Sequence, residues 1–378
     1  MPLPVPARRH PAAYLDRPRG VRKPLVKIAN ASGEPLVRIP CSPPHSRACG
    51  CQALVGYRGQ IRASSPCRPI RKRLRGLVAL LLLSLCGTLL LAGWGGSSMA
   101  LTASSAGSTS SAGLVKIDGA RKLFLTCRGT GAPTVVLISG FRGGYDDWTH
   151  VVSRPGATPR ASPSSVFPQV AGFTRVCAYD RPGTTNFDGS IGPSTPVRQP
   201  TTAQDDVGDL HALLGAAGAV GPYVLVAHSW GGMIAYLYAS EHPGEVAGMV
   251  LVDPGSEFLK TSLRASQWHR FVRGARKLGK PRILEAAEYE RSVDAIRGAP
   301  AVPRIPAVVL TSDRPFDFGA GGPQTWSAWL SAQNRLAAVL DAKHIAHTHS
   351  GHYIAGERPR LVINEVRDVV RSLQVPTP

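Results

Sequence analysis

The sequence predicts an α/β fold in which a mostly parallel sheet carries helices on both faces. Two observations predict it. From Leu114 onward, short apolar and β-branched runs alternate with longer stretches of helical periodicity, an alternation typical of parallel sheets covered by helices. Residues 223–227 are apolar throughout and are followed at once by 231–241, where the apolar residues recur at helical spacing. A strand that is apolar on both sides is expected to be buried on both sides.

Residues 1–76 are expected to form a disordered arm. They contain 16 Lys and Arg against only Asp16 and Glu34, together with many prolines and few aromatics, and they show no periodicity. Nucleic-acid binding requires basic residues on a folded face, with aromatics for stacking. The arm offers neither, so no nucleic-acid partner is expected.

Residues 77–94 form an uncharged apolar run directly after the basic cluster 71–75. This pattern is typical of a signal peptide or a signal anchor, and small residues at 98–100 suit cleavage. Because the basic cluster stays in the cytoplasm, the remainder is expected to be exported, either secreted or anchored in the membrane. A flexible linker rich in Ser, Ala, Gly and Thr is predicted over 95–113, and the folded domain over 114–378.

The elements of this domain are predicted from periodicity and from bounding Gly and Pro. A charged helical stretch interrupts the alternation between about 255 and 303, which predicts a small helical cap. Its larger apolar residues either line a pocket or pack the cap on the core; they are Trp268, Phe271, Leu278, Ile283 and Tyr289. The predicted strands are 116–117, 121–126, 134–138, 174–179, 223–227, 248–252, 307–311 and 343–346, and the predicted helices outside the cap are 202–214, 231–241, 324–340 and 359–373.

Ser229 lies at the tip of the turn that joins strand 223–227 to helix 231–241. Such a turn strains the serine backbone and lifts its hydroxyl clear of the sheet, beside the N-terminus of the following helix. Gly231 and Gly232 leave room for strand and helix to approach. The geometry suits a nucleophile, whereas the adjacent His228 is expected to pack beneath the turn.

From about 114 to 373 the sequence resembles the α/β-hydrolase superfamily, and most closely its exported bacterial esterase-like members. The segment 227–231 is similar to the family's nucleophile turn, with Ala227 in place of the first glycine. Three further segments match the family in chain order: Ser139-Gly140-Phe141, Asp180-Arg181-Pro182-Gly183, and Gly351-His352 with Glu357-Arg358-Pro359. Thr184 and Thr185 depart from the residues that usually follow the second of these segments.

The resemblance implies a role for four residues. Ser229 is the nucleophile, and His352, late in the chain, is the base that a serine hydroxyl requires. The backbone N–H groups of Phe141 and Trp230 form the oxyanion hole.

Two residues compete for the acid that orients His352. Asp253 ends strand 248–252, as in relatives that carry the acid after the strand succeeding the nucleophile turn. Asp313 follows the next strand, after which the family more commonly carries its acid. Relative to the usual position of that acid, Asp313 comes about two residues early and Asp317 about two residues late. We favour Asp253 and retain Asp313 as the alternative, since an Asp at a strand end also serves as a cap or turn residue.

The implied activity is that of an exported serine hydrolase, cleaving small-molecule carboxylic esters or amides through an acyl-enzyme. An aminopeptidase-like or cofactor-free peroxidase-like activity and a non-catalytic binding module are the alternatives. No cofactor and no metal site is predicted. The membrane is a partner through residues 77–94 if that segment is not cleaved.

The resemblance also implies a disulfide. In the family's sheet order, the strands that carry Cys127 and Cys177 are neighbours, so the two thiols are expected to face each other. A disulfide between them fits an oxidising compartment.

Overall fold

The computed structural model describes residues 28–29, 35–36 and 110–374. The chain divides into two units, Met1–Ser97 and Ser98–Pro378. In the first unit, strands β1 (Ile28–Ala29) and β2 (Pro35–Leu36) pair antiparallel. The rest of the arm predicted over 1–76, and the whole apolar run 77–94, lie outside the described residues. Within the described ranges, no helix combines the length and the apolar character needed to cross a membrane.

An eight-stranded sheet forms the centre of the second unit. Its order is β12-β11-β10-β9-β5-β8-β4-β3, and the strands from β12 to β8 run parallel whereas β4 and β3 are antiparallel to their neighbours. These strands are β3 (Ser111–Asp118), β4 (Arg121–Arg128), β5 (Thr134–Ile138), β8 (Val176–Asp180), β9 (Tyr223–His228), β10 (Val246–Val252), β11 (Ala307–Leu310) and β12 (Lys343–Ile345). A separate hairpin is formed by β6 (His150–Val151) and β7 (Arg160–Ala161).

Helices cover both faces of this sheet, and each face has its own apolar core. One core contains side chains of α2, α3, the cap and α7, whereas the other contains side chains of α1 and α9. The predicted fold class is therefore confirmed. The α-helices are α1 (Val166–Val170), α2 (Ala203–Ala216), α3 (Trp230–Glu241), α4 (Phe258–Ser262), α5 (Ala265–Ala275), α6 (Tyr289–Gly298), α7 (Trp326–Val339), α8 (Ile354–Glu357) and α9 (Pro359–Gln374).

The folded unit begins earlier than the sequence predicts. Residues 111–113, assigned to the linker, are the first residues of β3, and Ser111 pairs with Cys127 of β4. Their small side chains give no strand periodicity, but antiparallel pairing needs only the backbone groups. The strand is set by its partner rather than by its own composition.

Cys127 and Cys177 lie directly opposite each other on β4 and β8. Their sulfur atoms are bonded, and both residues are buried. The disulfide joins the antiparallel edge of the sheet to its parallel centre.

The largest difference from the sequence prediction lies between β5 and β8. The sequence analysis assigns no element to this segment, and the structure places β6, β7 and α1 in it. Helix α1 is only five residues long and buries Val166, Phe167 and Val170. A helix this short offers too few turns for its periodicity to be recognised in the sequence.

Candidate active site

Ser229 occupies the strained turn that the sequence predicts. Its φ of 52° and ψ of −119° fall where non-glycine residues are rare, and its N–H donates to the Val252 carbonyl over 3.2 Å. The two following glycines are sterically required. A Cβ on Gly231 would lie 2.5 Å from the Ile138 oxygen, and one on Gly232 would lie 2.4 Å from Pro254 Cβ.

Three predicted residues meet at this turn. His352 Nε2 lies 2.9 Å from Ser229 Oγ, and His352 Nδ1 lies 2.6 Å from Asp253 Oδ2. Ser229 lies between β9 and α3, Asp253 follows β10, and His352 lies in the loop after β12. The carboxyl ends of parallel strands meet at one edge of a sheet, so residues 123 and 99 positions from His352 come into contact.

Asp253 is fully buried and held by donors from two elements. Its Oδ1 accepts from the Ser312 N–H and from Trp329 Nε1, each over 3.0 Å, and its Oδ2 accepts from Ser312 Oγ over 2.7 Å. These three hydrogen bonds hold the carboxylate in one orientation. Asp253 is thereby fixed toward His352.

Asp313, the alternative acid, does not contact His352 and serves the loop that carries it. Its carboxylate accepts from the N–H groups of His349 and Ser350 over 2.9 and 3.0 Å. It therefore anchors the backbone just before His352, as a turn-capping Asp does. Asp317 accepts from the Gly319 N–H over 2.8 Å and is exposed.

Aromatic rings and a second histidine fix the ring plane of His352. Phe316 stacks on it with the ring centroids 4.3 Å apart, and Trp329 meets it edge-on. His228 lies beneath the turn, as predicted, with Nε2 2.9 Å from the His352 carbonyl oxygen. Burial, reinforced by repulsion from His352, lowers the pKa of His228 to about 3. His228 is therefore neutral at physiological pH and donates through Nε2.

Of the two predicted oxyanion donors, Phe141 lines the cavity beside Ser229, and Trp230 directly follows Ser229 in the chain. Phe141 follows β5, and Trp230 is the first residue of α3. Across the described ranges, neither backbone N–H has a hydrogen-bond acceptor. An N–H at the first position of a helix has no intrahelical partner and is free to bind a developing negative charge.

A buried arginine connects the cap to residues 139–141, called the oxyanion loop here because they carry the predicted donor Phe141. Arg181 donates to the carbonyl oxygens of Ser139 and Gly140 over 2.9 and 2.7 Å and to Glu285 Oε1 over 2.7 Å. Glu285, in the cap segment, also accepts from the Arg142 N–H. Although burial alone lowers the pKa of Arg181, its carboxylate neighbours, chiefly Glu285, hold it above the ordinary value. One ion pair therefore holds both sides of Phe141.

The reactive atoms open into a cavity of about 670 Å³, a size that accommodates a small molecule. Of the cap residues considered in the sequence, Phe271 and Tyr289 line it. Trp268 is buried in the core instead, and Leu278 and Ile283 are exposed. Six further aromatic side chains line the cavity; they belong to Phe141, Phe187, Phe316, Phe318, Trp329 and Tyr353.

Sequence reasoning missed several residues that position the site. Ser312 and Trp329, which hold Asp253, carry no motif, and neither does Glu285. Arg181 was noted only as part of a turn. A buried arginine needs a buried carboxylate, but nothing in the sequence identifies a partner 104 residues away.

Comparison with known proteins agrees with this architecture. Residues 133–286 match the family model described as the alpha/beta hydrolase fold. The protein YqjL of Bacillus subtilis is 29% identical over 203 residues, which cover 51% of this chain and 72% of YqjL. The protein C23C11.06c of Schizosaccharomyces pombe is 39% identical over 113 residues, 29% of this chain, and the match spans only 20% of that protein.

Two solved structures are similar in fold. A thermophilic esterase from Thermogutta terrifontis is 17% identical with a TM-score of 0.46, covering 70% of this chain and 100% of the esterase. A predicted hydrolase from Thermoplasma acidophilum is 14% identical with the same TM-score and the same coverage.

The family match and the strand order together define an α/β hydrolase by fold. The match over residues 133–286 supports the α/β-hydrolase superfamily that the sequence motifs predict, and it supports the hydrolase class.

Proposed function

We propose that this protein is a serine hydrolase that cleaves carboxylic esters, and by extension amides, through an acyl-enzyme. The observation that carries the proposal is the unbroken series of hydrogen-bond distances from Ser229 through His352 to Asp253. A serine hydroxyl is a weak nucleophile unless an adjacent base takes its proton. A carboxylate on the far side of the imidazole holds the tautomer that can do so.

In the proposed reaction, Ser229 Oγ attacks the carbonyl carbon while its proton moves to His352 Nε2. The N–H groups of Phe141 and Trp230 stabilise the resulting oxyanion. His352 then protonates the leaving alcohol or amine, which departs as the acyl-enzyme forms. A water molecule that gives its proton to His352 hydrolyses this intermediate, and Ser229 recovers its hydrogen.

Labelling by a fluorophosphonate probe tests the nucleophile. The folded wild-type protein is expected to be labelled at Ser229, and the Ser229→Ala protein is expected not to react. p-Nitrophenyl esters and aminoacyl anilides, assayed side by side, decide between an esterase and an aminopeptidase-like enzyme. A folded wild-type protein that neither reacts with the probe nor hydrolyses any of these substrates would favour the non-catalytic binding module.

We also propose that the hydrolase domain acts outside the cytoplasm. Support comes from the basic cluster and apolar run over 71–94 and from the buried Cys127–Cys177 disulfide, since such bonds persist in oxidising compartments. Fusing residues 1–113 to a reporter that is active only after export tests this. An active reporter is expected, and a reporter left in the cytoplasm would contradict the proposal.

A further inference from the structure

The strongest unassigned feature is a carboxyl group in the wall of the active-site cavity. Asp147 lines the cavity together with Ser229 and His352. In the described part of the chain no side chain or N–H donates to its carboxylate, whereas Asp253 receives three such bonds. Its oxygen lies against the Cα atom of Gly143, where a Cβ would be only 1.9 Å away. The proposed reaction assigns this group no role.

The protein behind this wall contributes further negative charge. Asp146 and Asp180 are buried, and each leaves one carboxylate oxygen without a partner. Each of them accepts a single backbone bond through its other oxygen, Asp146 from Phe187 and Asp180 from Tyr145. Of the residues that the structure describes, no lysine lines the cavity.

Asn186 adds an acceptor to this region. Its Nδ2 donates to Ser190 Oγ over 3.1 Å, and that hydroxyl gives its own hydrogen to Asp188 over 2.6 Å. Because Ser190 can only accept from Asn186, the amide cannot be reversed. Its Oδ1 therefore points inward beside Gly144, buried and without a donor.

Among the described residues, one guanidinium lines the cavity, that of Arg142, and its N–H groups are engaged away from Asp147. The Arg142 guanidinium donates to the carbonyl oxygens of Glu285 and Lys277 and lies over the Phe141 ring at 5.0 Å. Near Asp147, the rings of Phe187 and Tyr353 lie at the cavity wall with their centroids 5.8 Å apart. Aromatic faces attract cations as carboxylates do.

We propose that the cavity binds substrates carrying an ammonium group and that Asp147 is its counter-ion. The inference builds on the proposed hydrolase function and names its substrate class: an ester with a positive charge in the acyl or the alcohol part. The groups facing Asp147 agree with it. Burial raises the pKa of Asp147 to about 8. The negative charges of Asp146, Asp180 and Glu285 add to this effect, and the positive charge of Arg181 opposes it. A cation in the cavity would favour the ionised carboxylate.

Matched pairs of esters that differ only in charge test the proposal. Butyrylcholine and its neutral analogue 3,3-dimethylbutyl butyrate place the charge in the alcohol. p-Nitrophenyl 4-(trimethylammonio)butyrate and p-nitrophenyl 5,5-dimethylhexanoate place it in the acyl group. In at least one pair, kcat/KM for the cationic member is expected to be about tenfold higher or more, as for a close ion pair shielded from water.

The ratio of kcat/KM between the two members of a pair removes the pH dependence of the reacting groups, which both members share. We expect it to rise between pH 7 and pH 9 as Asp147 ionises, and to fall toward one, without this rise, in Asp147→Asn. Asp317→Asn is the matched control, because Asp317 also lines the cavity but is exposed. It is expected to change the ratio by less than about twofold, as is usual for screened surface charges.

Binding to Ser229→Ala, measured calorimetrically with butyrylcholine and its neutral analogue, separates this inference from the proposed hydrolysis. Cation preference in binding without hydrolysis by the wild type would leave the inference standing and overturn the hydrolase. Hydrolysis of both members of each pair at equal rates, with equal binding, would overturn the inference and leave the hydrolase standing. A preference that survives in Asp147→Asn would also overturn it.

Discussion

Two carboxylates lie close to His352, and they differ in what they hold. Asp253 contacts the imidazole of His352, whereas Asp313 contacts the backbone of the loop before it. Ser312, directly before Asp313 in the chain, donates to Asp253 through its N–H and its hydroxyl. A residue adjacent in sequence to the alternative acid thus supports the favoured one.

Asparagine substitution at each position is expected to separate these roles. Asp253→Asn should lower kcat by about 10³ to 10⁴-fold, because an amide cannot hold the required tautomer of His352 or stabilise its protonated form. Asp313→Asn keeps one carbonyl acceptor for the loop and is expected to cost about tenfold at most, as a loss of positioning. Ester hydrolysis at saturating substrate measures both. If Asp313→Asn proved the more damaging, the order of roles would be reversed.

His228 predicts a particular sensitivity to acid. Its pKa falls from an ordinary 6.5 to about 3 in the folded protein. Between these two values the unfolded chain binds a proton at His228 and the folded protein does not. The stability present above pH 6.5 is therefore lost as the pH falls toward 3. Between pH 7 and 5 this group alone is expected to lower the free energy of unfolding by about 2 kcal/mol.

Denaturant unfolding at a series of pH values measures that loss, with His228→Gln as the comparison. The glutamine amide can still donate toward the His352 carbonyl but does not titrate. Between pH 7 and 5 the free energy of unfolding should fall by about 2 kcal/mol less in the variant than in the wild type. An equal fall in both proteins would contradict the prediction.

At the scale of elements, the cap is joined to the oxyanion loop by an ion pair rather than by apolar contacts alone. Glu285 binds the Arg181 guanidinium and the Arg142 N–H, so the position of the cap segment and the direction of the Phe141 N–H are set together. A displaced cap would disturb the proposed oxyanion hole.

Glu285→Gln is expected to lower kcat by about tenfold with little change in KM, because the oxyanion donors act mainly in the transition state. Stability should fall by about 3 kcal/mol, since a buried guanidinium loses its counter-charge. Steady-state kinetics and denaturant unfolding measure the two effects. The control is Glu288→Gln, a buried cap carboxylate that binds Arg276 over 2.9 Å; it should lose stability and keep its kcat. Equal losses of kcat in both variants would contradict the coupling.

The same scale shows what a sequence can predict. The sheet strands and the long helices were found because each buries a face whose period is visible locally. The start of β3 was missed, since Ser111 is held by pairing with β4 rather than by its own side chain. The nucleophile turn was predicted from five consecutive residues, whereas the choice between Asp253 and Asp313 depended on a contact spanning 99 residues.

At the scale of the whole molecule, the disulfide ties β4, at the antiparallel edge, to β8, which ends in Asp180. It closes a loop of 50 residues that contains the oxyanion loop. Cross-linking a loop of this length restricts the unfolded chain and so stabilises the folded one.

Replacing both Cys127 and Cys177 with alanine is therefore expected to lower the free energy of unfolding by about 2 to 4 kcal/mol. Thermal unfolding with and without a thiol reductant provides the measurement. The melting temperature of the wild type should fall in reductant, and that of the double variant should not. Because both sulfur atoms are buried, reduction should require prior opening of the sheet. An unchanged melting temperature of the reduced wild type would show that the bond adds nothing to stability.

The indole of Trp329 donates to Asp253, and its ring meets the imidazole of His352 edge-on. A protonated imidazole quenches the emission of a neighbouring indole, whereas a neutral one does so far less. The ring current of Phe316, stacked on the same imidazole, displaces the resonances of its carbon-bound protons. The enclosure that fixes His352 therefore also reports on its protonation, so its charge can be followed by fluorescence and by magnetic resonance in the resting protein, before any substrate has been identified.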